Sequence, residues 1–107
     1  MQIQLATLPV DISRCFSVVV QLRPHLTESE FIEQVQRQQQ AGYFLVYVEK
    51  NNSIKAVAGC RFMETLIDGR LLYIDDLITD TSERSQGYGG ALIDWSIDYA
   101  KSQGYVS

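Results

Sequence analysis

The sequence contains few of the residues from which metal sites and disulfides are built. Its 107 residues include two cysteines and one histidine. Cys15 and Cys60 lie far apart in the chain, and neither has a histidine or a second cysteine at metal-ligand spacing. We therefore predict no metal site, and two buried free thiols in a reducing compartment rather than a disulfide.

Long hydrophobic runs and an excess of positive charge are also absent. No apolar stretch is long enough to cross a bilayer, and the N-terminal MQIQLATLPV lacks the basic region and apolar core of a signal peptide. The formal net charge is −4, and a chain of this sign is poorly suited to nucleic acid or to an anionic membrane. We predict a cytoplasmic protein without nucleic-acid or membrane partners, in which any anionic ligand is held by a local site.

The residues that are present are typical of one small globular domain. Apolar residues make up 46% of the chain and charged residues 21%, which is an ordinary balance for a folded chain. The sequence has no internal repeat, linker or low-complexity tail. A single domain over residues 1–107 is predicted.

The first half of the sequence predicts a strand, two helices and a central strand. The alternating stretch QIQLAT at 2–7 indicates a strand, and Pro9 suits the start of a helix. Thr27 and Glu30 form a capping-box pattern at the start of a second amphipathic helix. The apolar and aromatic run YFLVYVE at 43–49 predicts a central strand.

The second half predicts an α+β domain of three layers with a mixed, mostly antiparallel sheet. Asn51-Asn52 is a turn signal that joins the central strand to the next one as a hairpin. The element order is β-α-α-β-β-β-α-β. The remaining predicted elements are strands over 54–63 and 70–79, a polar loop over 80–86, a helix over 87–102 and a short strand at 105–107.

Three glycines fall within four residues where the last helix begins, in RSQGYGGALIDW. Gly87, Gly89 and Gly90 each weaken the helix by roughly 1 kcal/mol relative to alanine. A helix N-terminus presents unpaired amides, and residues without side chains let a phosphate approach them closely. Alternatively, the glycines only allow the helix to pack closely on the sheet. Two familiar phosphate loops are excluded, because position 92 is leucine and no Gly-Lys-Ser/Thr is present.

The glycine motif and its surroundings resemble those of the GNAT N-acetyltransferases. R-x-x-G-x-G at 84–89, followed by G-A-L at 90–92, resembles the pyrophosphate-binding motif of that family. LYIDDLIT at 72–79 is similar to the strand that precedes the motif, and QLRPHLTESEF at 21–31 is similar to the link between the first two helices in one bacterial group. The predicted element order is that of the family up to its fifth strand, so the resemblance covers essentially the whole chain.

The resemblance implies a site for acetyl-coenzyme A (acetyl-CoA), used as a co-substrate without a metal. Backbone groups at the end of the strand would pair with the pantetheine arm, and amides of the loop and first helical turn would bind the pyrophosphate. Arg84 would add positive charge; alternatively, it is a surface residue paired with Glu83 or Asp80. Tyr88 is expected mainly to pack the first turn. The implied cofactor-contacting residues are Leu77, Ile78, Thr79, Arg84, Ser85, Gln86, Gly87, Tyr88, Gly89 and Gly90.

Two adjacent carboxylates are the candidate catalytic residues. An amine must lose a proton as it attacks a thioester, and a carboxylate commonly accepts it. Because successive strand residues point to opposite faces, only one of Asp75 and Asp76 should face an acceptor unless the strand is bulged. The resemblance favours Asp75 as the base and Asp76 as a contact to a cationic acceptor; alternatively, both bind backbone donors or water. His25 is either a surface residue or part of the acceptor pocket.

Members of the family usually continue past the fifth strand, and that segment carries a tyrosine which protonates the leaving thiolate. No residue here matches that tyrosine. Two functions are therefore expected: transfer of acetyl to a primary amine of an unknown small-molecule or protein acceptor, or a shortened, non-catalytic domain that binds acetyl-CoA or a protein partner. An uncovered strand edge also predicts a homodimer that pairs through the C-terminal strand.

Overall fold

A four-stranded antiparallel sheet organises the computed structural model, which describes residues 1–105. The strands lie in the order β1-β2-β3-β4, and each is antiparallel to its neighbour. The elements are β1 (Gln2–Leu5), α1 (Pro9–Val19), α2 (Glu28–Gln39), β2 (Tyr43–Lys50), β3 (Ser53–Thr65), β4 (Gly69–Thr79), a short 3-10 helix (Thr81–Glu83) and α3 (Tyr88–Ser102). The predicted α+β fold is confirmed. The strand predicted at 105–107 falls mainly on Val106 and Ser107, which lie outside the described residues, so dimerisation through it stays a prediction.

Local sequence signals set the start of α2 and the first long hairpin. The hydroxyl of Thr27 accepts a hydrogen bond from the Glu30 amide, and the Thr27 amide donates to the Glu30 carboxylate, which forms the predicted capping box. Asn51 and Asn52 both have positive φ, at 54° and 63°. Two central residues of this kind match the right-handed twist of the strands, so the predicted β2–β3 hairpin is confirmed.

The sheet separates two apolar cores, which gives the predicted three layers. Helices α1 and α2 cover one face and α3 covers the other. Strand β2 is buried on both faces, as its continuous apolar run predicts. Cys15 lies in the first core and Cys60 in the second, and both are free thiols. Burial raises the pKa of Cys15 to about 12 and that of Cys60 to about 11.

Within residues 1–105, no helix is both long and apolar enough to cross a bilayer. The same part of the chain contains no group of three His, Cys, Asp or Glu side chains arranged to hold a metal ion.

Candidate functional site

The N-terminus of α3 presents backbone donors that the protein leaves free. Gly87 caps the helix in the left-handed region, at φ 83°, and supplies no side-chain cap. The first amide that bonds back is that of Ala91, which donates to the Gly87 carbonyl at 3.1 Å. Among residues 1–105, no acceptor is found for the amides of Tyr88, Gly89 and Gly90. These donors lie at the positive end of the helix dipole and are suited to an anion.

The space around the three glycines shows whether close packing requires residues without side chains at these positions. A β-carbon placed on Gly90 or on Gly87 would meet no other atom within 4 Å. On Gly89 it would meet only ordinary contacts, with Thr79 Oγ1 at 3.6 Å and Leu77 Cδ2 at 3.8 Å. Close packing on the sheet therefore does not require Gly89 or Gly90, which removes the packing alternative for them. Gly87 is required by its positive φ.

A cleft of about 310 Å³ lies along the last residues of β4, two of which, Leu77 and Thr79, are also the neighbours of Gly89. Its lining includes Arg84 and the three residues Leu77, Ile78 and Thr79, together with two residues that follow α1, Gln21 and Leu22. Strand β4 is an edge strand within residues 1–105, because it pairs with β3 alone. Its outer backbone groups are therefore available to an extended ligand, as the resemblance implies for the pantetheine arm.

Arg84 is free to serve this cleft. The alternative of an ion pair with Glu83 or Asp80 is not what the structure shows, since Glu83 binds Lys55 at 2.9 Å and Asp80 accepts from Ser82. No salt bridge to Arg84 is found among the described residues, and its side chain is exposed.

The rest of the predicted cofactor loop lies at the same helix end. Ser85 and Gln86 are exposed, and Ser85 has a positive φ of 69°, so the chain turns sharply just before the helix. Tyr88 is 8% exposed and packs in the core beneath α3, so its side chain has the packing position predicted for it.

A second cavity, of about 240 Å³, lies beneath α1 and α2, on the face of the sheet opposite to α3. Asp76 lines it, and so do Arg23 and His25 from the segment between the two helices. Asp76 and its neighbours Leu77 and Ile78 place this cavity next to the β4 end of the cleft. His25 is exposed and also lines the cavity. It is therefore a surface residue that lies at the candidate acceptor pocket.

A β-bulge brings both candidate carboxylates into one region. Gly59 pairs with Asp76 and Cys60 with Ile74, so Asp75 is an extra residue in β4. The strand alternation that would separate the two aspartates is thereby broken. Asp76 binds Arg23 at 2.5 Å, and Asp75 binds Arg61 at 2.9 Å. The bulge is the exception that the sequence analysis allows to strand alternation. The two carboxylates bind arginine side chains rather than the backbone donors given as the alternative.

The structure adds Tyr43 to the site, a residue that the sequence analysis treats only as part of a strand. Its side chain is 9% exposed, and its hydroxyl lies over Gly59, where an added β-carbon would come within 2.1 Å of the oxygen. Burial is the largest cause that raises the pKa of Tyr43, and the carboxylates of Asp76 and Asp75 add to it. The phenol is therefore neutral at physiological pH. The sequence signal for this contact is Gly59 itself, because a glycine inside an apolar strand such as IKAVAGCRFM marks a bulge or a close approach of another group.

The α+β fold and the glycine-led start of its last helix agree with the acetyltransferase class that the sequence resembles. Residues 8–107 match the model of the Acetyltransferase (GNAT) family, and the chain belongs to this family. One relative is the uncharacterised N-acetyltransferase YhdJ of Bacillus subtilis (strain 168), which is 29% identical over 90 residues. That match covers 83% of this chain and 63% of the relative's length.

Solved structures share the fold at low sequence identity. A GNAT family acetyltransferase of Staphylococcus aureus has a TM-score of 0.82 at 18% identity, over 95% of this chain and 78% of that one. A predicted acetyltransferase of Clostridium acetobutylicum, solved with acetyl-CoA, has a TM-score of 0.75 at 22% identity, over 97% and 75% of the two chains. At these identities the likeness concerns the fold alone.

Proposed function

We propose that this protein transfers an acetyl group from acetyl-CoA to a primary amine. The observation that carries the proposal is the N-terminus of α3, where unpaired amides and glycines without side chains lie next to the end of β4. The cleft along that strand end is lined by Arg84. A pyrophosphate fits such a site because it needs several donors at close range and one positive charge. The acidic chain thus has a local site for an anion.

The residues around the cleft divide the binding of acetyl-CoA between them. Amides from Ser85 to Gly90 hold the pyrophosphate with Arg84, and the outer backbone of Leu77, Ile78 and Thr79 pairs with the pantetheine arm. Acetyl-CoA supplies an activated thioester, which reacts with a neutral amine to give an amide and the free thiol of coenzyme A. The protein has to align the amine and remove its proton.

Asp76 is the residue we propose as the proton acceptor. It lines the cavity next to the β4 end of the cleft, whereas Asp75 is not among the lining residues and is bound by Arg61 on both oxygens. The sequence resemblance favours Asp75 for this role. Because the bulge keeps Asp75 beside Asp76, it is the second candidate to be tested. Tyr43, held neutral by burial, can donate a hydrogen bond to a group in the cavity.

Release of coenzyme A thiol tests the proposal, with acetyl-CoA and a panel of amino acids, polyamines, amino sugars and lysine peptides as acceptors. We expect at least one acceptor to react, and Asp76→Asn to lower its rate by about 10²-fold or more without changing the affinity for acetyl-CoA. Asp75→Asn serves as the matched control, with a smaller loss expected. Full activity of the Asp76 variant would contradict the assignment, and the absence of any reaction would contradict the enzyme itself.

A further inference from the structure

The second cavity, beneath α1 and α2, is the proposed site of the amine acceptor. It contains one positive and one negative side chain in direct contact. Arg23 Nη2 lies 2.5 Å from Asp76 Oδ1, and both residues line the cavity. The Arg23 side chain is about half exposed, at 46%, and the Asp76 side chain is 24% exposed. Two hydrogen bonds fix the backbone of Arg23: its amide donates to the Val19 carbonyl at 3.0 Å, and its carbonyl accepts from the Leu26 amide at 3.2 Å. The side chain can therefore turn while its attachment point stays in place.

The remaining walls combine a group of buried apolar residues with His25, Gln34 and Gln38, and they leave room for a sizeable side chain. Phe31, Val35, Leu45 and Val57 line the cavity and are buried within the protein core. An apolar cavity of about 150 Å³ holds a benzene molecule. A cavity of about 240 Å³ therefore accommodates an aromatic or branched aliphatic group together with a small polar head group.

The Tyr43 hydroxyl is a further polar group that points to a ligand. Its side chain is 9% exposed, it lines the cavity, and no hydrogen bond to the hydroxyl is found within residues 1–105. No fully buried side-chain oxygen or nitrogen among these residues lacks a partner, so the Tyr43 hydroxyl is open to the cavity. From there it can bond to a polar group of a bound molecule. Only Gly59 allows this ring position, because any β-carbon there would collide with the oxygen.

The ion pair discriminates between classes of amine by charge. A simple cationic amine that bound Asp76 would place a second positive charge beside Arg23, with one carboxylate to balance both. A zwitterion with adjacent amine and carboxylate groups exchanges partners instead: its ammonium meets Asp76 and its carboxylate meets Arg23. This exchange keeps every charge paired, which matters in a partly buried site, and a guanidinium binds a carboxylate with two parallel hydrogen bonds.

We propose that the acceptor is a free α-amino acid with an apolar side chain; this rests on the proposed acetyl transfer, and names the substrate class for its acceptor site. The carboxylate of the amino acid binds Arg23, the amine lies against Asp76 and the Tyr43 hydroxyl, and the side chain occupies the apolar part of the cavity. Substrate binding thereby releases Asp76 from its arginine. The carboxylate is then free to take the proton of the attacking amine.

Direct binding tests this inference without coenzyme A. Calorimetric titrations use L-phenylalanine, L-phenylalaninamide, which lacks the carboxylate charge, and 2-phenylethylamine, which lacks the carboxyl group. We expect the amino acid to bind at least tenfold more tightly than either analogue. Equal affinity for the three compounds, or no binding of the amino acid at millimolar concentration, would overturn the inference.

Two arginine variants separate the proposed contact from a general charge effect. Arg23→Gln is expected to remove the tenfold preference for the amino acid. Arg61→Gln removes the same charge from the neighbouring Asp75 pair, at the same 46% exposure, and is expected to keep the preference. Arg23→Lys preserves the charge and should retain part of it, so a folding defect in one variant does not hide the result. A preference that survives both Arg23 substitutions would overturn the inference.

The same samples distinguish this inference from the proposed function. Acetyl-CoA is titrated separately into each protein. Loss of the amino-acid preference with intact acetyl-CoA binding would count against the acceptor class alone. Amino-acid preference without acetyl-CoA binding would count against acetyl transfer and leave the recognition of a zwitterion standing.

Discussion

Replacement of Gly90 by alanine should make the protein more stable and the cofactor site worse. Gly90 is a helical residue in the first turn of α3, and an added β-carbon would meet no atom within 4 Å. The substitution therefore adds no clash and removes the conformational cost of a helical glycine, which is up to about 1 kcal/mol. For a domain of this size that corresponds to a rise of roughly 4 °C in the unfolding temperature. The new methyl group occupies the space proposed for the pyrophosphate.

Gly87→Ala is the matched control at the same helix end. Gly87 also has open space around it, but its φ of 83° is unfavourable for a residue with a β-carbon. We expect this substitution to lower the free energy of unfolding by about 1 to 2 kcal/mol. Opposite signs at two positions three residues apart would show that backbone conformation, rather than the added volume, sets the stability change.

Urea unfolding and calorimetric titration of acetyl-CoA measure the two effects of Gly90→Ala independently. We expect higher stability together with at least a tenfold loss of affinity. Lower stability would show that the position is not open in the folded protein. Higher stability with unchanged affinity would refute the reasoning, because the glycine would then serve neither packing nor ligand.

Three further outcomes follow from buried groups and from one helix cap. Gly59→Ala should cost about 1 to 3 kcal/mol of stability by overpacking, and less in a Tyr43→Phe background, since the closest contact is then the ring carbon at 3.0 Å rather than the oxygen at 2.1 Å; a urea double-mutant cycle measures the difference. The thiols of Cys15 and Cys60 should resist alkylation at mildly alkaline pH until urea unfolds the protein, because burial raises both pKa values; rapid labelling of the native protein would contradict this. Hydrogen bonds from the amide and the hydroxyl of Ser82 lower the pKa of Asp80 in the folded protein. The stabilising effect of Asp80 is therefore present above its ordinary pKa, and it is lost as the pH falls through the lower pKa of the folded state. Asp80→Ala should therefore destabilise the protein more at neutral pH than at a pH well below 3.8, as measured by urea unfolding.

Local chemistry made much of the fold predictable from the sequence. Thr27 and Glu30 carry a capping pattern whose geometry needs no distant partner, and the Asn51-Asn52 turn depends only on backbone preference. The glycines at the start of α3 were recognisable for the same reason, since their low helix propensity is an intrinsic cost that requires an explanation.

The candidate acceptor site depends on contacts that a linear pattern does not reveal. Arg23 and Asp76 are 53 positions apart, and their pairing follows from how α1 packs on the sheet. Strand alternation predicted one inward aspartate, but a one-residue bulge beside Gly59 changed the direction of Asp75. Bulges result from sheet register over two strands, so they escape any rule based on one strand. The partnership of Tyr43 and Gly59 is of the same kind.

Calorimetric titration of acetyl-CoA into the wild-type protein and into Gly89→Glu tests the central claim most directly. The new carboxylate would lie beside the unpaired amides of α3, and its β-carbon fits with contacts of 3.6 Å and longer. Gln103→Glu adds the same charge at the exposed C-terminal end of the same helix and is the control. We predict micromolar or tighter binding that only Gly89→Glu abolishes. No binding to the wild-type protein, or equal binding to all three proteins, would contradict the assignment of the glycine-led helix end as the acetyl-CoA site.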